Sequence, residues 1–159
     1  MKRHFKTRRA RALRPCSNPT TRTIPDAYLN KPLDVALAFM DLLQGTGGTA
    51  PAYESLVCFY LDAANHILNV GIQPGTTDSA AAYPRNVVKE ALDAGAVSVI
   101  IAHNHPSGAV RSSPQDLALT RRVKEALETV DIRLHDHIIV AIKADDSIDY
   151  TSLVQEGLF

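Results

Sequence analysis

Three residues in one stretch of the chain are able to hold a metal ion: His103, His105 and Asp116. The stretch reads His103-Asn104-His105-Pro106-Ser107-Gly108 and closes with Ser113-Pro114-Gln115-Asp116. It follows directly on the apolar run VSVIIA at 97–102. In an extended chain residues i and i+2 point to the same side, so both imidazoles can aim at one point. Pro106 cannot continue a strand ladder and Gly108 permits a sharp turn, which puts the pair at a strand end, where sites in such sheets are built. Asp116 has two compatible roles. With Ser113 as N-cap and Pro114 at the first helical position, it completes a capping arrangement. It also precedes Leu119 and Val123 by three and seven residues, on the apolar stripe of its own helix. A carboxylate directed inward must find a partner or shift its pKa, and a metal ion with two imidazoles would supply the partner.

Two histidines and one carboxylate leave a coordination position open for water, the layout of a catalytic rather than a structural zinc site. The same donors serve non-haem iron, so the donor set alone does not name the metal. Zinc can lower the pKa of its water to roughly 7, and hydrolysis then needs a general base beside that water. Glu90, Glu125 and Glu128 project from polar helix faces and Glu156 lies near the C-terminus. Glu54 is left, at the start of an apolar run, where a glutamate can equally be a solvated edge residue.

The elements that must position these residues are legible in outline. The pattern PLDVALAFMDLLQ at 32–44 predicts a helix whose apolar positions are Val35, Leu37, Ala38, Met40, Leu42 and Leu43, stopped at Gly45. The run ESLVCFYL from Glu54 predicts a strand covered on both faces. Turn residues at 62–65 and HILNVGI at 66–72 predict a hairpin partner, followed by a loop over 73–82. Pro84 opens a helix with a stripe of Val87, Val88, Ala91 and Leu92 that ends at Gly95. Residues 97–102 form a short strand, 114–130 a helix and 135–142 a further strand. The order α-β-β-α-β-α-β implies a sheet with helices packed on it, in the α/β or α+β class.

The charge is unevenly placed. The chain has 17 basic and 17 acidic residues and a formal net charge of zero. Residues 1–25 hold eight of the bases and no acid, so a +8 arm precedes a −8 body over 26–159. The arm, with prolines and small polar residues after its basic run, reads as a disordered tail. Basic arms bind phosphate without sequence preference, which suggests nucleic acid as a partner. The 45% apolar composition fits a globular body and argues against wholesale disorder. No apolar run approaches the roughly 20 residues of a membrane span. Two cysteines, Cys16 and Cys58, make no disulfide framework, and a reducing cytosol is the expected compartment.

Several spaced features together are specific. Glu54 eight residues before Asp62, the loop Gly75-Thr76, Pro84-Arg85, the block Ala102 to Gly108, Ser113, Asp116, Thr120 and Asp136-His137-Ile138-Ile139 resemble the RadC-like family of JAB/MPN (JAMM) metalloproteins. The resemblance covers residues 32–159. It implies a cytidine-deaminase-like α-β-α sandwich with a mixed sheet and flanking helices. It also implies one zinc ion per chain on His103, His105 and Asp116, with Glu54 as general base and Ser113 stabilising the oxyanion. The implied activity is that of a cytoplasmic JAMM-type metallohydrolase, cleaving peptide or isopeptide amides in a protein or peptide substrate. The chain departs from the family in three places. Asn86 replaces the acid of a Pro-Arg-Glu motif, Ser112 replaces the proline before Ser113, and the basic arm stands where a helix-hairpin-helix region is usual. The competing expectation is a nucleic-acid-associated accessory protein, of DNA repair or a mobile element, binding through residues 1–25.

A second His-x-His, His135-Asp136-His137, has no third ligand at a suitable spacing. His137 is expected to hold a ligand by hydrogen bond, and His135 and His66 to be exposed. The letters H-N-H at 103–105 match the name of a nuclease motif whose residues are dispersed, and carry no meaning here. Arg121, Arg122 and Lys124 read as a solvated helix face.

Overall fold

Apolar residues recur at helical spacing in PLDVALAFMDLLQ and almost without interruption in SLVCFYL and SVIIA, and the chain folds accordingly. A computed structural model describes residues 27–44, 53–74, 83–143 and 147–159. The elements are α1 (Pro32–Gln44), β1 (Ser55–Leu61), β2 (Ile67–Pro74), α2 (Pro84–Ala94), β3 (Ser98–Asn104), α3 (Pro114–Glu128), β4 (Arg133–Ile142) and β5 (Ile148–Ser152). The strands form one sheet in the order β2-β1-β3-β4-β5. Only β3 and β4 run parallel; the other three pairs are antiparallel. A parallel pair needs a crossover, and α3 supplies it.

Alternation along the strands separates two cores. Val57, Phe59 and Leu61 of β1, Ile100 and Ala102 of β3, and Ile138 and Val140 of β4 pack with Val35, Ala36, Phe39, Leu42 and Leu43 of α1. Leu56, Cys58 and Tyr60 of β1 and Val99 and Ile101 of β3 pack with Val87 and Ala91 of α2 and Val123 and Leu127 of α3. One helix therefore covers one face and two helices the other, giving the α-β-α sandwich with a mixed sheet that the sequence resemblance implies. Cys58 lies in mid-strand with no solvent exposure, and burial pushes its thiol pKa up to about 12. Among the described residues no helix is long and apolar enough to cross a membrane.

Several boundaries differ from the sequence reading. β3 continues through His103 and Asn104, β2 reaches Pro74, α3 ends at Glu128 and β4 begins at Arg133. β5 is an element the sequence pattern did not yield: its burial is mostly partial, so IDYTS carries little apolar alternation. On α2 the buried residues are Val87 and Ala91, while Leu92 is 54% exposed. Leu92 stands about 100° round the helix from Ala91, beyond the narrow face that meets the sheet. On α1 the buried set includes Ala36 and Phe39, and Leu37 faces outward. The basic arm, Cys16 and the loop Gly75-Thr76 lie outside the described residues.

Candidate metal centre

Strand parity sets the first two ligand candidates. His103 shares the parity of Val99 and Ile101, which face α2 and α3, so its ring points to the side where α3 begins. The His105 N–H bonds the Val140 carbonyl at 3.1 Å, extending the β3–β4 ladder one residue past the strand end. The chain then turns: Gly108 adopts φ 78°, a left-handed conformation open to glycine, and its N–H bonds the His105 carbonyl at 3.0 Å. His105 thus faces the same point as His103, with Nε2 to Nε2 at 2.8 Å.

The start of α3 brings the third. Ser113 Oγ accepts the Asp116 N–H at 3.1 Å, and Asp116 Oδ2 accepts both the Ser113 N–H and the Ser113 hydroxyl at 2.7 Å. This is a capping box, and it leaves the other oxygen free to face inward. Asp116 Oδ1 lies 3.1 Å from His103 Nε2, and Oδ2 lies 3.4 Å from His105 Nε2. Burial pushes the Asp116 carboxyl up, but His103, His105 and the Ser113 N–H outweigh it and hold the group well below the usual carboxylate range. The hydrogen bond with Asp116 raises His105 against the opposing effect of burial, and the Ala109 carbonyl and Glu54 charge add to it.

The three residues offer ligand atoms that all lie within 4.8 Å of one another. Their chemistry fits a metal ion. The His105 ring reaches the Ala109 carbonyl through Nδ1 at 2.8 Å, and a carbonyl only accepts, so in the neutral ring Nε2 carries a lone pair. That lone pair meets a second imidazole nitrogen and a carboxylate in a site almost closed to solvent, a donor set suited to holding a cation among them.

Behind these three residues stands a buried line of polar groups. His103 Nδ1 lies 2.7 Å from His137 Nε2, and His137 Nδ1 lies 2.6 Å from the Thr120 hydroxyl, which bonds the Asp116 backbone carbonyl at 2.7 Å. His137 has no exposure, and burial followed by the neighbouring His103 drives its pKa well below 6.5. It is therefore neutral at physiological pH.

Glu54 is half-buried at the start of β1, close enough for its charge to act on His105. The backbone ladder between β1 and β3 ends at Leu56 and His103. Beyond it the buried Asn104 amide stands in for the next rung. Its Oδ1 accepts the Ser55 N–H at 2.8 Å and its Nδ2 donates to the Tyr53 carbonyl at 3.2 Å. Both neighbours of Glu54 are thus pinned by one side chain.

The profile of the family described as the RadC-like JAB domain matches residues 29–158. The chain belongs to this family. A UPF0758 protein of Burkholderia cenocepacia is 46% identical to it over 91 residues, 57% of this chain and 35% of that protein. One from Marinobacter nauticus is 47% identical over 94 residues, covering 58% and 42%. One from Aromatoleum aromaticum is 47% identical over 109 residues, covering 68% and 48%. The matched region spans less than half the length of these relatives. The RadC-like JAB match begins at Leu29, three residues ahead of the resemblance read from the sequence.

Of the sequence-selected residues, His103, His105 and Asp116 meet at one point, Ser113 bonds Asp116, and Glu54 lies near enough for its charge to act on His105. His66 is exposed and pairs with Asp62 at 3.0 Å. His135 corrects the expectation of an exposed residue: it is half-buried, because it lines a cavity of about 30 Å³ with Leu29, Val35 and Asp136. Asn86 and the helix cations Arg121 and Arg122 are exposed; Lys124, half-buried, has its Nζ 5.6 Å from the centre of the Phe159 ring. Two residues of the RadC-like JAB site had no assigned role in the sequence reading, Asn104 and Thr120. Asn104 acts across 49 residues of sequence, and no local signal announces it. Thr120 had one: a hydroxyl on the apolar stripe of α3, four residues after Asp116.

Proposed function

We propose that this domain is a zinc-dependent hydrolase of amide bonds, acting on a protein or peptide substrate. The observation that carries the reading is the convergence of two imidazole nitrogens and one carboxylate oxygen, all acceptors, at the end of β3. Zinc held by these residues would polarise a substrate carbonyl and bring a water's pKa to roughly 7.

The other parts of the reaction fall to the chain. Glu54 takes a proton from the attacking water and delivers it to the leaving amine, one carboxylate serving as base and then as acid. Support comes from the reach of its charge to His105 and from the Asn104 clamp on both sides of it. The Ser113 hydroxyl donates to the carbonyl oxygen as negative charge develops there. To do so its hydrogen turns away from Asp116 Oδ2, which keeps the Ser113 N–H. Asp116 meanwhile stays anchored to the helix cap by Oδ2 and offers Oδ1.

Purified 159-residue chain should carry about one zinc per chain, held by His103, His105 and Asp116. Absence of bound metal under zinc-replete conditions would sink the reading. Glu54→Gln should retain metal and lose hydrolysis of peptide and isopeptide substrates; an unchanged rate would remove Glu54 from the mechanism.

A second reading, favoured by the eight bases and no acids of residues 1–25, is nucleic-acid association through that segment. Deleting residues 1–25 should then abolish salt-sensitive binding to DNA and RNA, and unchanged affinity would end the idea.

A further inference from the structure

The hydrogen bonds behind the site admit two proton orders with opposite consequences for metal binding. In one, the Thr120 hydroxyl donates to His137 Nδ1, His137 Nε2–H donates to His103 Nδ1, and a proton is left on His103 Nε2, where it blocks a metal. In the other, every proton is shifted and His103 Nε2 is bare. The Asp116 backbone carbonyl decides between them. It lies 2.7 Å from the Thr120 hydroxyl and can only accept, so the hydroxyl hydrogen must lie on that contact. The alternative would press two oxygens together beside the fully buried Thr120, where no water or cation can enter between them as it can at the ligand cluster beside part-exposed His105.

With that hydrogen fixed, the rest follows. Thr120 Oγ1 must accept at 2.6 Å, so His137 carries its proton on Nδ1. A neutral His137 then accepts through Nε2 at 2.7 Å, so His103 carries its proton on Nδ1 and presents a bare Nε2 to the site.

We propose that Thr120 and His137 are positioning residues forming a proton-ordering relay, which sets His103 in its ligating tautomer before any metal arrives. The proposal rests on the reading of His103, His105 and Asp116 as ligands. The relay is also a closed ring. Asp116 begins it through its backbone carbonyl, and its own carboxylate lies 3.1 Å from the nitrogen that the relay leaves bare. The two ligands are thereby tied through α3, β4 and β3. His105 is ordered separately, by the Ala109 carbonyl at 2.8 Å.

The test is long-range proton–nitrogen NMR on metal-free, full-length chain with nitrogen-15 histidine, at a pH where the rings are neutral. His103, His105 and His137 should all show the Nδ1–H tautomer, against the Nε2–H form that free histidine favours in water. An Nε2–H tautomer at His103 overturns the relay. Thr120→Val keeps the shape and removes the hydroxyl. It should disturb the His137 and His103 tautomers and weaken zinc binding about ten- to hundredfold in chelator competition. Thr120→Ser should restore both, and a Thr120→Val chain with unchanged tautomers and affinity also overturns the relay. If Thr120→Val does not fold, the wild-type tautomers decide alone. Expected tautomers in a chain that never binds zinc would uphold the proton order and defeat the proposed hydrolase. Zinc binding by a chain with His103 in the Nε2–H form would do the reverse.

Discussion

His103-Asn104-His105 and His135-Asp136-His137 are the same His-x-His pattern on adjacent parallel strands, and only the first brings both its rings to the candidate metal centre. On β3 the pattern falls at the strand end, and the turn at Gly108 lets both rings face Asp116. On β4 it straddles a bulge: Val99 pairs with Leu134 but Ile100 with Asp136, so His135 has no partner in the ladder. The bulge breaks two-residue alternation. His137 falls on the α3 side behind His103, while His135 falls against Leu29 and Val35 beneath α1. The middle residues are closer in kind. Asn104 ties β3 to the start of β1, and Asp136 ties β4 to the C-terminal segment through the Ser152 hydroxyl at 2.6 Å and the Val154 N–H at 3.2 Å. A side chain's use is set by what the strand does next, not by its spacing alone.

The comparison can be broken outright with metal. Asp116→Asn should abolish stoichiometric zinc binding in equilibrium dialysis, whereas His135→Ala should leave it intact; loss of zinc from His135→Ala would erase the distinction. The next largest effect is expected at His137. His137→Ala empties a fully buried site and strips partners from His103 and Thr120, so urea denaturation should show a loss of about 2–4 kcal/mol. Asn104→Ala should cost about 1–3 kcal/mol by leaving the Ser55 N–H and Tyr53 carbonyl short of a partner. It should also cut hydrolysis while zinc stays bound, which separates the clamp on Glu54 from the ligand set.

The pH dependence sharpens the same contrast. The His137 pKa is lowered in the folded chain from 6.5, so below that value the unfolded chain binds a proton that the folded one refuses. Stability from the buried neutral ring is complete above the unfolded value and falls as pH drops below it. The slope is about 1.4 kcal/mol per pH unit for one proton. Metal-free chain titrated by urea denaturation should show this slope, and His137→Ala should lose it. His135 is also lowered, by partial burial and then by Arg133, and its replacement should change the slope far less. Smallest of all, His135→Asn in the presence of zinc should stay within about 0.5 kcal/mol of wild type.

How much of this was legible depended on distance along the chain. The ligand set lies within 14 residues and carries its own strand-end and capping signals, so His103, His105 and Asp116 could be picked from residue types, while Ser113 was legible only as the N-cap and its oxyanion role only as what the resemblance implies. Glu54 needed the family resemblance, because a glutamate before an apolar strand has a bland reading as good as the catalytic one. The bulge at Leu134–Asp136 left no mark in the sequence, since both registers keep an apolar face, and His135 was misplaced as a result. β5 escaped because its residues are half-covered, and Leu92 because apolar spacing on a helix does not state how wide a face the sheet can cover. The Asn104 clamp joins residues 49 apart, and only the folded sheet brings them together.

Cys58 gives the fold a built-in clock. Its thiol sits in mid-strand on β1, the strand that Glu54 begins, and its pKa near 12 keeps it from forming the thiolate that alkylating reagents attack. In a Cys16→Ser chain, labelling can proceed only when the centre of the sheet opens. The labelling rate then reads the opening free energy of the same strand that follows Glu54. Any ligand held by the native site alone should slow that rate in proportion to its occupancy of the folded state, with no substrate needed.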